Sequence, residues 1–195
     1  ATPLRVPRPH LFTSSLGRSL ESENAIVEIE TDEGITGVGE VCSIWDRKGR
    51  GQAEDINDLL AEALNGLDPF RIADIHGRMD NLLHRSYPAK AGIDMALYDI
   101  VGKSLNTPVY NLLGGMVREK VLLSHSLSMG EPEEIANYAA ALVEEGYKTL
   151  KAKIGLDARS DQATVEAVRS RVGEDIIIRV DANMGWKNPK DAVRN

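Results

Sequence analysis

The stretch that most constrains the fold of this chain is Tyr147–Trp186, where one helical pattern separates two short apolar segments. The segments 149–154 and 176–180 each carry apolar residues at alternate positions, which predicts strands. The residues between them carry apolar side chains at helical spacing and end at a glycine. A strand, a helix and a strand in this order predict a parallel βαβ unit with a right-handed crossover.

The charged residues of these two strands are predicted to share one side of the sheet. Successive strand residues face opposite sides, so Lys151 and Lys153 point away from the apolar residues of their strand. Arg179, Asp181 and Asn183 do the same in the next strand. An open doubly wound sheet covers both faces with helices, whereas a closed barrel places this face in its interior, with the strand ends at the active-site mouth. The pattern therefore favours a (β/α)₈ barrel of the TIM type.

A third strand is predicted before this unit, at residues 121–127, followed by a helix that begins at Pro132 and ends at Gly146. Residues 116–195 are therefore predicted to form the N-terminal part of a (β/α)₈-type barrel. A complete barrel takes about 250 residues, so the barrel is expected to be incomplete in this chain. A helix-start signal near Asn188 favours a truncated chain.

Residues 1–115 follow a different pattern, with strands first and helices second, which predicts an α+β domain. A hairpin is predicted from Asn24–Thr31 and Ile35–Val41, and an exposed loop is predicted around Phe12–Ser22. Apolar stripes at helical spacing follow, at residues 56–67, 72–83 and 93–101. We place the domain boundary near residues 114–120.

Composition excludes several classes of function. The net charge of −7 does not favour binding to nucleic acid or to an anionic membrane. No apolar run approaches the roughly 20 residues that a membrane span needs. The single cysteine excludes an internal disulfide and fits a reducing compartment. We therefore expect a cytoplasmic protein.

Once these residues are laid out, the sequence resembles the enolase superfamily, in the branch of mandelate racemase and muconate-lactonizing enzyme. The matching motifs are Lys-x-Lys at Lys151 and Lys153, Asp-x-Asn at Asp181 and Asn183, and the following Gly185-Trp186. The resemblance implies an α+β capping domain at residues 1–115, followed by the first three βα units of the barrel. The resemblance covers nearly the whole chain.

The resemblance implies a role for each motif residue. Asp181 matches the first of three carboxylates that hold one Mg²⁺, and the other two are expected on strands beyond this chain. Lys153 matches the base that takes a proton from the carbon next to a substrate carboxylate, and Lys151 matches its helper. Asn183 matches a residue near the metal and the substrate. The capping-domain loops that carry Phe12 and Trp45 match loops that close the pocket over the substrate.

These residue types suit that chemistry. A proton next to a carboxylate is weakly acidic, and a metal ion stabilises the negative charge that develops when it leaves. Mg²⁺ prefers hard oxygen ligands such as Asp181. A free lysine, with a pKa of about 10.4, is mostly charged at neutral pH. Burial and nearby positive charges favour the neutral amine that Lys153 needs in order to act as a base.

The predicted function is a Mg²⁺-dependent enzyme that abstracts the proton α to a substrate carboxylate, as a racemase, an epimerase or a cycloisomerase. The alternatives are an acid-sugar or hydroxy-acid dehydratase of the same superfamily, and a fragment that acts only as a structural or interaction piece. We expect a small carboxylate as substrate and a homo-oligomer as assembly. The 195 residues alone are expected to be inactive.

Several residues also have plain structural interpretations. Lys151 and Lys153 could lie solvated on an edge strand, and Asp181 could cap the N-terminus of a helix. His125 is expected to be a structural histidine, and Trp186 is expected to pack in the core or at its rim. Gly34, Gly37 and Gly39 match neither a dinucleotide-binding loop nor a P-loop, which opposes a phosphate-binding barrel and a flavodoxin-like fold.

Overall fold

The computed structural model describes residues 1–42 and 48–194. The chain divides into two compact units. The first contains residues 1–7 and 21–117, and the second contains residues 8–20 and 118–195.

The chain begins with a sheet of three strands in the order β1-β2-β3, formed by β1 (Thr2–Ser14), β2 (Gly17–Glu30) and β3 (Thr36–Val41). β2 and β3 pair antiparallel, and Val27 lies opposite Gly39, as the predicted hairpin requires. The loop predicted around Phe12–Ser22 is wrong, because only Ser15 and Leu16 separate β1 from β2. Most of β1 is exposed on both faces, so it lacks the apolar alternation by which a strand is recognised in sequence.

Helices follow β3. They are α1 (Gly49–Asp55), a π-helical turn (Ile56–Leu60), α2 (Ala61–Leu64), α3 (Ile72–Leu82), α4 (Tyr87–Ser104) and α5 (Val109–Leu112). The π-helical turn interrupts the predicted apolar stripe of residues 56–67. Ile56 and Leu60 are buried, but Leu59 is 49% exposed. A π-helical turn contains an extra residue, so side chains on either side of it no longer follow one α-helical stripe.

Helix α4 packs against β3 at very short range. A Cβ atom at Gly39 would overlap the carbonyl oxygen of Gly92, and one at Gly37 would overlap the carbonyl oxygen of Ala96. The side chains predicted to form the α4 stripe are all buried, including Ile93. The strand glycines therefore let helix and strand backbones touch, which is the structural reason for this Gly-x-Gly pattern.

The second unit alternates strands and helices. Its strands are β4 (Ser124–Leu127), β5 (Thr149–Lys153) and β6 (Ile177–Asp181), which pair parallel in the order β4-β5-β6. Its helices are α6 (Pro132–Glu144), α7 (Ala158–Val172) and α8 (Pro189–Arg194). β4 is shorter than predicted, because residues 121–123 lie outside the strand and are exposed. An α+β unit followed by the parallel βα start of a barrel is the predicted fold class.

The core of the second unit lies between its strands and helices. The buried apolar side chains include Leu127 of β4, Leu150 and Ala152 of β5, and Val168 of α7. The expected apolar face of β6 is only partly correct, because Val180 is 51% exposed on a strand at the edge of the three-stranded sheet. Asp157 begins α7 as its N-cap, where its carboxylate accepts hydrogen bonds from the amides of Arg159 and Ser160. Among the described residues, no helix combines the length and apolar character that a membrane span requires.

Candidate active site at the ends of β5 and β6

Lys153 is the last residue of β5 and is almost completely buried, with 7% of its side chain exposed. Its Nζ donates a hydrogen bond to Oδ2 of Asp181 at 2.9 Å. Asp181 is the last residue of β6 and the register partner of Lys153. The carboxyl ends of two adjacent parallel strands therefore place a buried amine directly beside a carboxylate.

Lys151 lies on the same face of β5, one strand repeat earlier. Its Nζ is 3.3 Å from the same Oδ2 of Asp181, and its side chain is about one-third exposed. Its register partner on β6 is Arg179. Lys151, Lys153 and Arg179 therefore share the face of the sheet that carries Asp181, and the two lysines contact its carboxylate. Lys153 is buried, so it is not a solvated lysine on an edge strand.

Asp181 is held in its ionised form. The hydrogen bond from Lys153 and the hydrogen bond from the amide of Asn183, at 2.8 Å to Oδ1, lower the pKa of Asp181 from 3.8 to about 2. Burial opposes these two hydrogen bonds by a smaller amount, and a still smaller lowering by Lys151 is included in the pKa of about 2. The carboxylate is therefore negatively charged throughout the physiological pH range and available to a cation.

Asn183 follows β6 in a left-handed turn, with a φ of 43°, and Met184 continues the turn with a φ of 64°. Asparagine tolerates this backbone conformation better than most residues. The side-chain Oδ1 of Asn183 is buried and has no hydrogen-bond partner among the described residues. An unpaired buried oxygen is costly, so this atom is suited to accept a hydrogen bond or to bind a cation.

Phe12 reaches the site from the tip of the β1–β2 hairpin. The centre of its ring lies 5.9 Å from Nζ of Lys153, at the outer limit of a cation–π contact. The tip is held by the amide of Thr13, which donates to Oγ of Ser128 at 2.7 Å, and by the amide of Met129, which donates to the carbonyl of Thr13 at 2.9 Å. Trp45, the other predicted substrate contact, lies outside the described residues.

Two residues near the site were not predicted from sequence. Ser15 lies in the hairpin turn, and its Oγ is 2.8 Å from the carbonyl oxygens of both Ala182 and Asn183. Asp161 lies in the first turn of α7 and accepts a hydrogen bond from the indole of Trp186 at 3.2 Å. Trp186 is thus half-buried at the rim, with its N–H in use. The signal in the sequence that could have indicated Asp161 is an acidic residue four positions after the N-cap Asp157, at the start of a helix.

His125 is placed as a structural histidine in the second unit. Its ring packs edge-on against the rings of Tyr138, at 5.8 Å, and Tyr147, at 5.0 Å. These contacts lie on the apolar side of the sheet, opposite the face of Lys153. The Nδ1 atom of His125 is buried and has no hydrogen-bond partner among the described residues, so the histidine is not fully satisfied.

The oxygen atoms at the end of β6 fit a hard divalent cation. Asp181 offers a charged carboxylate, and Asn183 offers a buried carbonyl oxygen without a partner. Mg²⁺ prefers such oxygen ligands and is commonly bound by one or two carboxylates, with water or substrate oxygens in its other positions. Within the described part of the chain, no three His, Cys, Asp or Glu side chains are grouped closely enough to hold a metal ion.

Both parts of the chain match families of known proteins. Residues 2–114 match the family described as mandelate racemase / muconate lactonizing enzyme, N-terminal domain. Residues 134–195 match the family described as enolase C-terminal domain-like.

Among curated relatives, the N-succinyl-L-Arg/Lys racemase of Bacillus cereus is 43% identical over 95% of this chain and 51% of its own length. The hydrophobic dipeptide epimerase of Enterococcus faecalis is 42% identical over 94% of this chain and 52% of its own length. The chain thus spans about half the length of the curated relatives it matches.

A solved structure of a dipeptide epimerase from Enterococcus faecalis, complexed with Mg and the dipeptide L-Leu-L-Tyr, superposes with a TM-score of 0.93 at 39% identity. The superposition covers 98% of this chain and 54% of that one.

Proposed function

Because this chain belongs to the mandelate racemase and muconate-lactonizing branch of the enolase superfamily, we propose that the full-length protein is a Mg²⁺-dependent racemase or epimerase. Its reaction begins with removal of the proton α to a substrate carboxylate. The observation that carries this proposal is the buried amine of Lys153, 2.9 Å from the ionised Asp181 at the ends of adjacent parallel strands.

Asp181 and the unpaired Oδ1 of Asn183 are the residues that would hold Mg²⁺ in this part of the chain. When bound, Mg²⁺ supplies positive charge that stabilises the negative charge developing on the substrate carboxylate. The cationic face made by Lys151 and Arg179 favours an anionic substrate over a neutral one.

Lys153 is the proposed base. Its burial excludes water from the amine, and its position beside Asp181 keeps the amine next to the proposed metal site. Lys153 acts in its neutral form, and the proton moves from the α-carbon of the substrate to the lone pair of its Nζ. Lys151, which is more exposed, is positioned to bind the substrate carboxylate and to keep a second positive charge near Lys153. Inversion also requires a group that returns a proton to the opposite face, from a part of the protein outside these residues.

We propose an amino acid with an acylated nitrogen as the substrate class. The relatives at 43% and 42% identity are named for an N-succinyl amino acid and for hydrophobic dipeptides. A carboxylate whose α-carbon carries an amide nitrogen is common to both substrates. Phe12, whose ring lies beside Lys153, is suited to contact the apolar part of such a substrate.

The test is hydrogen exchange at the α-carbon. The full-length protein, with Mg²⁺, is incubated in D₂O with N-succinyl amino acids and dipeptides, and deuterium at Cα is followed by NMR or mass spectrometry. Wild-type protein should introduce deuterium, and Lys153→Ala should lose this activity through its face of the substrate while keeping its circular dichroism spectrum. Lys148→Ala is the matched control, because Lys148 is exposed just before β5.

Unchanged exchange in Lys153→Ala would overturn the assignment of Lys153 as the base. Loss of water from hydroxy-acid substrates, without exchange into acylated amino acids, would instead identify a dehydratase of the same superfamily.

A further inference from the structure

Asp161 is a buried carboxylate that the proposed reaction does not use. Its Oδ1 accepts hydrogen bonds from the amide of Gly155 at 2.8 Å and from the amide of Leu156 at 3.3 Å, both in the loop that follows β5. Its Oδ2 accepts from the indole of Trp186 at 3.2 Å, in the loop that follows β6. One side chain therefore joins the two loops that begin at Lys153 and Asp181.

The backbones of the same two loops touch. A Cβ atom at Gly185 would overlap the carbonyl oxygen of Gly155, and Gly155 itself has a φ of 107°, which disfavours any other residue. The amide of Ile154 donates to the carbonyl of Asp181 at 3.1 Å. These contacts extend the pairing of β5 and β6 beyond the strand ends, as far as the carboxylate of Asp161.

Helix capping does not account for Asp161. The N-cap of α7 is Asp157, whose carboxylate already accepts from the amides of Arg159 and Ser160. Asp161 lies one turn further along the helix and directs both oxygens to groups outside it. A carboxylate that is 7% exposed and has three donors from two loops is placed to connect those loops.

We infer that Asp161 is a positioning residue, which clamps the loops after β5 and β6 together and so sets the separation of Lys153 and Asp181. The effect of Asp161 on catalysis rests on the proposed function of Lys153 and Asp181. The clamp itself is a property of the described residues and is tested separately.

The clamp is tested by amide hydrogen exchange in the full-length protein. Asp161→Asn replaces one acceptor oxygen with an NH₂ group, so a donor faces either the indole N–H of Trp186 or the amide of Gly155. The amides of Asn183 and Gly185, which are hydrogen-bonded in the turn after β6, should then exchange about tenfold faster. Trp186→Phe removes the indole N–H that donates to Asp161, together with part of the ring, and should have the same effect in the same amides.

Asp157→Asn is the matched control. It changes the N-cap carboxylate of α7, which among the described residues has no hydrogen bond to Trp186, and Asn is a comparable N-cap. Exchange at Asn183 and Gly185 should remain as in the wild type. If Asp161→Asn does not fold, Trp186→Phe decides the outcome. The clamp would be overturned if the amides of Asn183 and Gly185 exchanged at the wild-type rate in whichever of Asp161→Asn and Trp186→Phe folds.

The catalytic consequence is read from Mg²⁺ affinity. In a calorimetric titration with Mg²⁺, Asp161→Asn should raise Kd about tenfold, the scale on which outer-shell residues affect metal sites. A variant that is merely less folded would bind fewer equivalents with an unchanged Kd. Unchanged Kd with faster loop exchange would overturn the positioning role but not the contact. If the wild type neither binds Mg²⁺ nor exchanges α-protons, the proposed function fails, and the hydrogen-exchange result still decides the clamp.

Discussion

Lys153 Nζ lies 2.9 Å from Asp181 Oδ2, and the two residues are register partners on adjacent parallel strands. The backbone pairing alone therefore places them on the same face at the same height. Lys151 approaches the same oxygen at 3.3 Å. A divalent cation that binds Asp181 must compete with two lysines for one carboxylate oxygen.

This competition gives a prediction for Lys151→Met in the full-length protein. Loss of one positive charge close to Asp181 should tighten Mg²⁺ binding by about fivefold, since a partly exposed ion pair is worth on the order of 1 kcal/mol once solvent screening is included. The same variant should lose most α-proton exchange, because Lys151 is proposed to bind the substrate carboxylate. Calorimetry measures the first effect and deuterium incorporation measures the second. Weaker Mg²⁺ binding in Lys151→Met would contradict this arrangement of charges.

The depressed pKa of Asp181 predicts how stability depends on pH. The pKa is about 2 in the folded protein and 3.8 without the partners. A carboxylate whose pKa is lowered by folding stabilises the protein above its unfolded pKa, and this stabilisation is lost as the pH falls from 3.8 towards 2.

Urea unfolding of wild type and Asp181→Asn measures this contribution. Near neutral pH the variant should be less stable, because the buried amine of Lys153 loses its counter-charge. The difference between the two proteins should shrink as the pH is lowered through about 3. A stability difference that is independent of pH in this window would show that the ion pair is not its source.

The site face could be predicted from sequence because strand alternation is local. Strand alternation alone places three charged residues on one face of the sheet, namely Lys151, Lys153 and Asp181. A charged face that must be buried favours a barrel over an open sheet. The resemblance then assigned their proposed roles. The same local rule identified β3, β5 and β6 within one residue of their observed ends, whereas β2 begins at Gly17, seven residues before its predicted start.

Other features depend on contacts between distant residues. Most of β1 is exposed on both faces, so the hairpin turn at Ser15 had no periodic signal. Asp161 joins two loops that are adjacent only because β5 and β6 pair, which no spacing in the sequence shows. The burial of the Asn183 oxygen follows from the turn geometry after β6. In each case tertiary packing, rather than residue type, determines the role.

The close packing of α4 against β3 predicts a large effect from a small substitution. Gly39→Ala places a methyl group on the carbonyl oxygen of Gly92, and because both atoms belong to backbone neither moves easily. The free energy of unfolding should fall by about 2–3 kcal/mol, as for overpacked cores. Thermal or urea unfolding measures it.

Gly77→Ala is the control for that substitution. Gly77 is exposed within α3, and a Cβ there meets no atom within 4 Å. Alanine is the better helix former, so this variant should gain up to about 1 kcal/mol. If Gly39→Ala were as stable as Gly77→Ala, the helix–strand contact would not be as close as described.

The contact of Ser15 with the turn after β6 predicts that the hairpin tip steadies the site. The Oγ of Ser15 is 2.8 Å from the carbonyl oxygens of Ala182 and Asn183 and donates its one proton to them. Ser15→Ala removes this hydrogen bond and should cost about 1 kcal/mol of local stability. The amide of Asn183 should therefore exchange about fivefold faster.

KM for α-proton exchange should rise in Ser15→Ala, because Phe12 on the same tip would be held less firmly beside Lys153. Ser14→Ala is the control, since the one hydrogen bond of Ser14 Oγ within the described residues is accepted from the amide of Leu16 in the turn, at 3.3 Å. Equal exchange rates at Asn183 in the two variants would show that the tip does not support the turn.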